Sequence, residues 1–472
     1  MVPMYIRRLQ VENVKLLRNF ELYFLNAQGQ PRMWTVIIGE NGTCKTTILQ
    51  TIALAASGPA RATTLADIPS LPDKRLDQPT VRIEAEFEFS KVLHRARDYP
   101  GLDAKPNNPP HLCSRLKLRP RRTDFSGASW YQGSQTGNAL LDHFKEEEHG
   151  ESEALRRLDE MATPGGGPLD EARSLDLHLW FVAGYGTDRR LRPPDPNITF
   201  SSDPALERLK PLFGQRSIVG TGFADLFRLR FPDDKLAQAY SRVLKQVLIE
   251  GESLLPRVDE IDLRGRGGGG SASNLIESHR VDYHVGDRSV RLPMVWLSQG
   301  YQAMVAWVAD VVGQIILEAK APIEGNEMEG LVLLDELDLH LHPMWQVTLI
   351  HALKRVFPRI QFVATTHSPM VLPYLRQDEV FILEEDEEGS VRPTPAPQSP
   401  ALLTGSGIYA KFFGLEQVFP NDLGDKLWQY TYLAADPTRC EEDDAKAREL
   451  RDQLIAAGID PGPEPVARTG GL

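Results

Sequence analysis

The chain has 472 residues, 41% of them apolar and 25% charged, with a formal net charge of −12. That balance excludes a disordered polymer and a protein that coats nucleic acid through bulk charge, and it supplies material for two or three folding units. It has no run of 18 apolar residues, no N-terminal signal pattern, and three cysteines (Cys44, Cys113, Cys440) without paired spacing, so the expectation is a protein of the reducing cytoplasm with no membrane segment, disulfide framework or zinc site.

In chain order, Ile6 to Phe24 alternates apolar and polar and predicts a hairpin, followed by the buried strand "WTVII". After the loop "GENGTCKT", the segment "TTILQTIALAA" has helical spacing. "VRIEAEFEF" (Val81 to Phe89) alternates strictly, as a strand with one buried face does. From Ser90 to about Ala172 the pattern breaks into proline- and glycine-rich pieces that read as an insertion. "LDLHLWFVAGYG" (Leu175 to Gly186) predicts a buried strand ending in the loop "GYGTDRRLRPP". In "DKLAQAYSRVLKQVLIEG", Leu236, Tyr240, Val243, Leu244 and Val247 share one helical face. "RGRGGGGSAS" (Arg264 to Ser273) reads as a flexible loop. "VDYHVGDRSVRLP" predicts a second hairpin, "LSQGYQAMVAWVADVVGQIILEA" opens a long helix, and "GLVLLDELDLHLHP" and "QFVATTHSP" are apolar strands ending in polar residues. The tail from Val391 to Leu472 starts proline-rich and holds two predicted helices, and the acid runs "LEEDEEG" and "CEEDDAKARE" read as solvated surface.

Strand, glycine-bearing loop and helix form the setting of a phosphate-binding loop. In such a loop successive backbone N–H groups face the phosphates, a lysine bridges the outer ones and a hydroxyl holds Mg2+. Gly39, Gly42, Lys45 and Thr46 occupy the expected places, but Cys44 stands where the last glycine belongs. If the backbone there has positive φ, the side chain costs on the order of 1 kcal/mol, which modifies the loop without forbidding it. The strand "LVLLDE" delivers Asp335, suited to Mg2+, and Glu336, suited to polarising an attacking water. His367 ends the next apolar strand, about 30 residues on, where it would contact the γ-phosphate. "LSQGYQ" puts Ser298 and Gly300 at the start of a helix, a hydroxyl and free N–H groups at a positive dipole end.

Together, "GENGTCKT", "LSQGYQ", "LLDELDLHLHP" and "ATTHSP" resemble the cassette-type P-loop ATPases of the structural-maintenance-of-chromosomes, recombination-repair and overcoming-lysogenization-defect kind. The resemblance is strongest to compact prokaryotic ATPase subunits of anti-phage defence systems such as Septu. It covers the N-terminal lobe and residues 281–385. It implies an α/β, ABC-type P-loop NTPase with a mixed β-sheet core, a helical signature subdomain and an inserted region. The implied divisions are an N-terminal ATPase lobe (1–92), an insertion (93–174), a strand, loop and helical subdomain (175–280), a C-terminal ATPase lobe with signature, Walker B acids and switch histidine (281–390), and a helical tail (391–472).

The resemblance also implies ATP and Mg2+ as cofactors. Gly39, Asn41, Gly42, Thr43, Cys44, Lys45, Thr46 and Thr47 would bind nucleotide, with Ser298 and Gly300 capping it from a second copy; Thr46 and Asp335 would hold the metal, and Glu336, His367 and Lys45 would be catalytic. Asp338 would lie near the dimer seam, a placement preferred over a zinc pair of His340 and His342. Besides Cys44, the chain departs from the family in lacking a glutamine after the strand that feeds the magnesium-sensing loop; "GYGTDRR" stands there, leaving Tyr185, Asp188 or Arg189 to contact the phosphates or a neighbour, or the loop to be plain surface.

Arg115, Lys117, Arg119 and Arg121 recur every second residue, as on one strand face, and either meet nucleic acid or an acidic partner or form a solvated face. The favoured expectation is an ATP-hydrolysing dimeric switch controlling an effector such as a nuclease or toxin, with slow turnover because of Cys44. The alternatives are a DNA-end repair ATPase, against which the lack of sustained heptads argues, and a transporter nucleotide-binding subunit, against which the missing glutamine argues.

Overall fold

The computed structural model describes residues 4–89, 111–129, 132–133, 181–189, 203–215, 234–251, 253–262, 280–319, 321–415 and 421–466. The predicted first hairpin is β1 (Met4–Val14) and β2 (Leu17–Tyr23), paired antiparallel with Val11 opposite Phe20. The chain then enters β3 (Trp34–Gly39), α1 (Lys45–Ser57) and a short α2 (Pro59–Leu65). β4 (Val81–Phe89) returns to β1 and buries Val81, Ile83, Ala85 and Phe87, the face its alternation selects.

β5 (His111–Leu118), β6 (Ser126–Ser129) and β7 (Gln132–Gly133) follow, within the 93–174 stretch read as an insertion, and they extend the sheet of the N-terminal lobe. The first sheet runs β2-β1-β4-β5-β6, with β7 also on β5. The open edge of β4 is completed by a strand whose own alternation turns Ser114, Leu116 and Leu118 inward. A segment broken by proline and glycine at both ends thus carries pairing strands between them.

The second sheet, β15-β14-β3-β13-β12-β8, holds the candidate site. β8 (Val182–Tyr185), β12 (Gly330–Leu334), β13 (Ile360–Thr365) and β14 (Val380–Glu385) run parallel with β3, and β15 (Val391–Pro395) closes the edge antiparallel to β14. The mixed sheet expected from the motifs is therefore present, and β15, in the stretch expected to open the tail, is one of its strands. β12 and β13 are buried at every position, as strands covered on both faces must be.

Helix α1 lies in an apolar core shared by the two sheets. Ile48, Leu49, Ile52 and Leu54 belong to the same buried cluster as Ile6, Phe20 and Phe87 of the first sheet and Ile37, Leu333 and Val363 of the second. Each such side chain contributes about 1.5–3 kcal/mol on burial. The sheets are also joined by Gln361, fully buried on β13. Its Oε1 accepts from the Ile6 N–H (2.7 Å), and its Nε2 donates to the carbonyls of Ile6 (3.0 Å) and Arg32 (2.9 Å). All three bonds are made in a dry setting where an unmet polar group is costly, so the register of β1 against β13 is pinned.

The longer of the remaining helices described in this unit are α3 (Asp234–Leu248), α4 (Gln299–Ala319) and α5 (Pro343–Val356). On α3, Tyr240, Val243, Leu244 and Val247 are buried, which is the face the spacing predicts. A third sheet, β11-β10-β9, consists of β9 (Val258–Asp262), β10 (Arg280–Val285) and β11 (Arg288–Pro293), the last two being the second predicted hairpin. The glycine-rich loop at 264–273 and the whole 134–180 stretch, including the start of the strand expected from Leu175, lie outside the described residues.

Residues 403–472 form a separate compact unit. It carries α6 (Gly405–Phe413), α7 (Asn421–Ala435) and α8 (Glu441–Ala456), with Tyr430, Ala447, Leu450 and Leu454 as its buried cluster. Cys440 caps α8, with four acids in the first turn where the helix dipole favours negative charge. Among the described residues no helix is long and apolar enough to cross a membrane.

Candidate nucleotide site

The loop between β3 and α1 is folded onto itself. Thr43 Oγ1 donates to the Glu40 carbonyl (2.9 Å), and Lys45 Nζ donates to the carbonyls of Gly39 (2.8 Å) and Glu40 (2.6 Å). Burial pulls the Lys45 pKa below its ordinary value, while the nearby carboxylates of Asp335 and Glu336 oppose that shift. The ammonium is held over the loop by two carbonyls, which are weak partners for a cation compared with phosphate oxygens.

Gly42 has φ 90° and Cys44 has φ 63°, so the conditional cost foreseen for Cys44 applies. A β-carbon in left-handed backbone destabilises by about 1 kcal/mol. The cysteine is half-buried against the apolar core, occupies the N-cap position of α1 and makes no side-chain cap bond, so it offers α1 none of the usual capping benefit.

The acids meet this loop from the end of β12. Parallel pairing sets Leu334 beside Tyr185 on one side and Ala364 on the other, so the residue after each strand falls at one level. Asp335, 4% exposed, accepts from Thr46 Oγ1 at Oδ2 and from Thr365 Oγ1 at Oδ1, both at 2.7 Å. The Thr365 hydroxyl in turn accepts from the Glu336 N–H (2.8 Å), and the Thr365 carbonyl accepts from Leu337 N–H (2.8 Å). Glu336 is half-buried at φ 48°. One step on, Thr366 Oγ1 donates to Asp338.

The Thr46 hydroxyl and the Asp335 carboxylate form an all-oxygen donor pair of the kind Mg2+ takes when phosphate and water supply the remaining positions. The donor chemistry therefore fits Mg2+.

Tyr185, Asp188 and Arg189, the candidates at the end of β8 and after it, differ in surroundings. Tyr185 is fully buried; its hydroxyl donates to Asp310 on α4 (2.8 Å), and its carbonyl accepts from the Asp335 N–H (2.9 Å). Burial, with Asp310 adjacent, holds the phenol well above its ordinary pKa, so it stays a donor. Asp188 is exposed. Arg189 is 2% exposed, and its Nη2 donates to the carbonyls of Asp335 (2.7 Å) and Glu336. Burial draws its pKa down to about 10, against the pull of Asp335, Asp338 and Glu336, so it remains a cation at neutral pH. The described start of this loop, through Arg189, is therefore turned inward onto the acid turn.

Ser298 and His367 are exposed, Ser298 immediately before α4 and His367 beyond the end of β13. Neither enters the network around Asp335. Gly300 is buried, and a β-carbon there would stand 2.4 Å from the His340 carbonyl, so this glycine lets the start of α4 rest on the loop after the acids. His340 itself has φ 64°, and His342 caps α5 by accepting from the Met344 N–H (3.3 Å). Of the other loop residues, Asn41 and Gly42 are exposed, whereas Thr43 and Thr47 are buried.

The four basic residues of the β5 stretch do not make one exposed face. Arg115 Nε donates to Glu84 (2.6 Å) and Lys117 is 7% exposed, while Arg119 and Arg121 lie exposed past the strand end, Arg121 at φ 65°. The period-2 spacing holds through β5, but a carboxylate on the neighbouring strand already answers the charge.

Sequence reading passed over Thr365, Thr366 and the function of Gly300. The signal was available for the threonines: two hydroxyls in succession at the end of a largely apolar strand beside an acid-ended one. For Gly300 there was none, because its neighbour lies forty residues away in sequence.

The family described as "AAA domain, putative AbiEii toxin, Type IV TA system" matches residues 34–372. The Septu protein PtuA of Bacillus mycoides (strain KBAB4) is 37% identical over 159 residues, which are 34% of this chain and 22% of that protein. The retron Ec83 probable ATPase of Escherichia coli is 32% identical over 176 residues, 37% of this chain and 32% of that protein. The matched region thus spans less than half the length of either relative. The SMC head domain from Thermotoga maritima superposes with a TM-score of 0.40 at 13% identity, covering 83% of this chain and 98% of that one.

Proposed function

The chain belongs to this AAA-domain family, and from that premise we propose that it is a cytoplasmic ATPase that binds and hydrolyses ATP with Mg2+ and switches between a monomer and an ATP-linked dimer to control an effector protein, such as a nuclease or toxin, in prokaryotic anti-phage defence. The single observation that carries the reading is the junction at Asp335, where one carboxylate joins the first turn of α1 through Thr46 and β13 through Thr365. That junction ties the lysine-bearing loop to the acid-ended strand, the two elements the reading draws on.

In this reading Lys45 exchanges its two loop carbonyls for phosphate oxygens, and the N–H groups at the start of α1 complete the cradle. Thr46 and Asp335 would hold Mg2+, which would supply positive charge beside the phosphates. Glu336 accepts the proton of the attacking water, and His367 contacts the γ-phosphate. Ser298 faces solvent and caps the nucleotide of a second copy. The effector and the defence setting rest on the Septu and retron names of the relatives.

The test is the mass in solution of Glu336→Gln with and without ATP, beside the wild type. The expected result is an ATP-dependent dimer or higher assembly that persists in the variant and decays in the wild type. A mass indifferent to ATP in both would overturn the dimer, and stimulation of hydrolysis by DNA ends would move the assignment to repair.

A further inference from the structure

Glu336 is a non-glycine residue in left-handed backbone, a conformation that relaxes unless its surroundings hold it. Its N–H is held by the Thr365 hydroxyl at 2.8 Å. The carbonyl before it and its own carbonyl both receive the same nitrogen, Nη2 of Arg189. These two oxygens belong to the peptide units on either side of Glu336, so one guanidinium fixes both planes and with them the direction in which the side chain leaves the backbone.

Arg189 is not an ordinary buried ion pair. Its described bonds are to carbonyls, and its Nε is buried with no hydrogen-bond partner. The base of its loop is anchored as well, through the Tyr185 hydroxyl on Asp310 and the Tyr185 carbonyl on the Asp335 N–H.

We propose that Arg189 is the positioning residue of the hydrolytic centre: it clamps the peptide units flanking Glu336 and so aims that carboxylate, without touching nucleotide itself. The proposal rests on the ATPase reading above. It requires that loss of Arg189 leave nucleotide binding by Lys45 and Thr46 intact and slow only the chemical step. Misaiming a catalytic group by about 1 Å lowers the rate by up to roughly a hundredfold.

The experiment measures kcat and KM for ATP in the wild type, Arg189→Gln and Arg189→Lys, and single-turnover rates for Glu336→Gln with and without Arg189→Gln. The expected result for Arg189→Gln is a fall in kcat of roughly ten- to a hundredfold with KM within about twofold. Arg189→Lys keeps the charge but reaches less far, so its kcat falls between the two. In the Glu336→Gln background, Arg189→Gln adds no further loss, because the carboxylate it aims is already gone. A multiplicative loss in that background, a kcat equal to the wild type, or a rise in KM that accounts for the whole effect would overturn the proposal. So would failure of both Arg189 variants to show a cooperative melting transition, which would assign the residue to folding. A wild-type chain that binds ATP without hydrolysing it overturns the ATPase reading and this proposal together, an outcome distinct from hydrolysis that ignores Arg189.

Discussion

At the end of the central sheet where the glycine loop meets the acids, the polar groups bond one another: Lys45 on two loop carbonyls, Thr46 and Thr365 on Asp335, Arg189 on the acid turn. At the signature turn the arrangement is the reverse. Gly300 is packed tightly against the His340 carbonyl, yet Ser298 faces solvent, and Trp296 and Met344 are 73% and 72% exposed. The first region buries its polar groups against one another, and the second presents a hydroxyl and two large apolar groups outward. Tryptophan is enriched among the side chains that anchor interfaces, which fits the proposed capping of a second copy's nucleotide from this turn.

The contrast is open to direct attack, and its largest effect is expected from pairing one variant in each region. Lys45→Ala removes a charged partner of the phosphates and is expected to weaken nucleotide binding by the monomer about a hundredfold. Ser298→Ala is expected to leave monomer binding unchanged and to abolish the ATP-dependent gain in mass. Titration with a fluorescent ATP analogue and mass measurement on both proteins decide the matter. Equal losses of monomer binding would erase the distinction between the regions.

A smaller effect concerns how the outward turn is held. Gly300→Ala forces a β-carbon onto a backbone oxygen and is expected to destabilise by about 1–3 kcal/mol, read as a lower denaturant midpoint. A neutral result would mean that α4 and the loop after the acids move apart easily. The smallest effect lies at the loop itself. Cys44→Gly relieves left-handed backbone and is expected to stabilise by up to about 1 kcal/mol while raising kcat. A lower melting temperature with unchanged kcat would show that the thiol's packing outweighs its strain.

Much of this was legible along the chain because the responsible residues are neighbours. Strand, loop and helix around Lys45 follow from local patterning, and the acids at 335 and 336 follow from an apolar run that ends abruptly in charge. The two hairpins and the buried face of α3 follow in the same way from periods of two and 3.6. Strands β5 to β7 were harder to read, because a segment framed by prolines and glycines resembles an insertion until a partner edge is found for it.

The sequence by itself determined which chemistry is present: a lysine and a threonine after a glycine loop, paired acids, a histidine and a serine before a helix. Tertiary structure alone decided how those groups are held. Arg189 lies nearly 150 residues from the acids it grips, Thr46 lies 289 from Asp335, and the Gln361 bonds that register the sheets span 355. Hydrogen bonds in a dry interior depend on distance in space, and spacing along the chain carries no record of it.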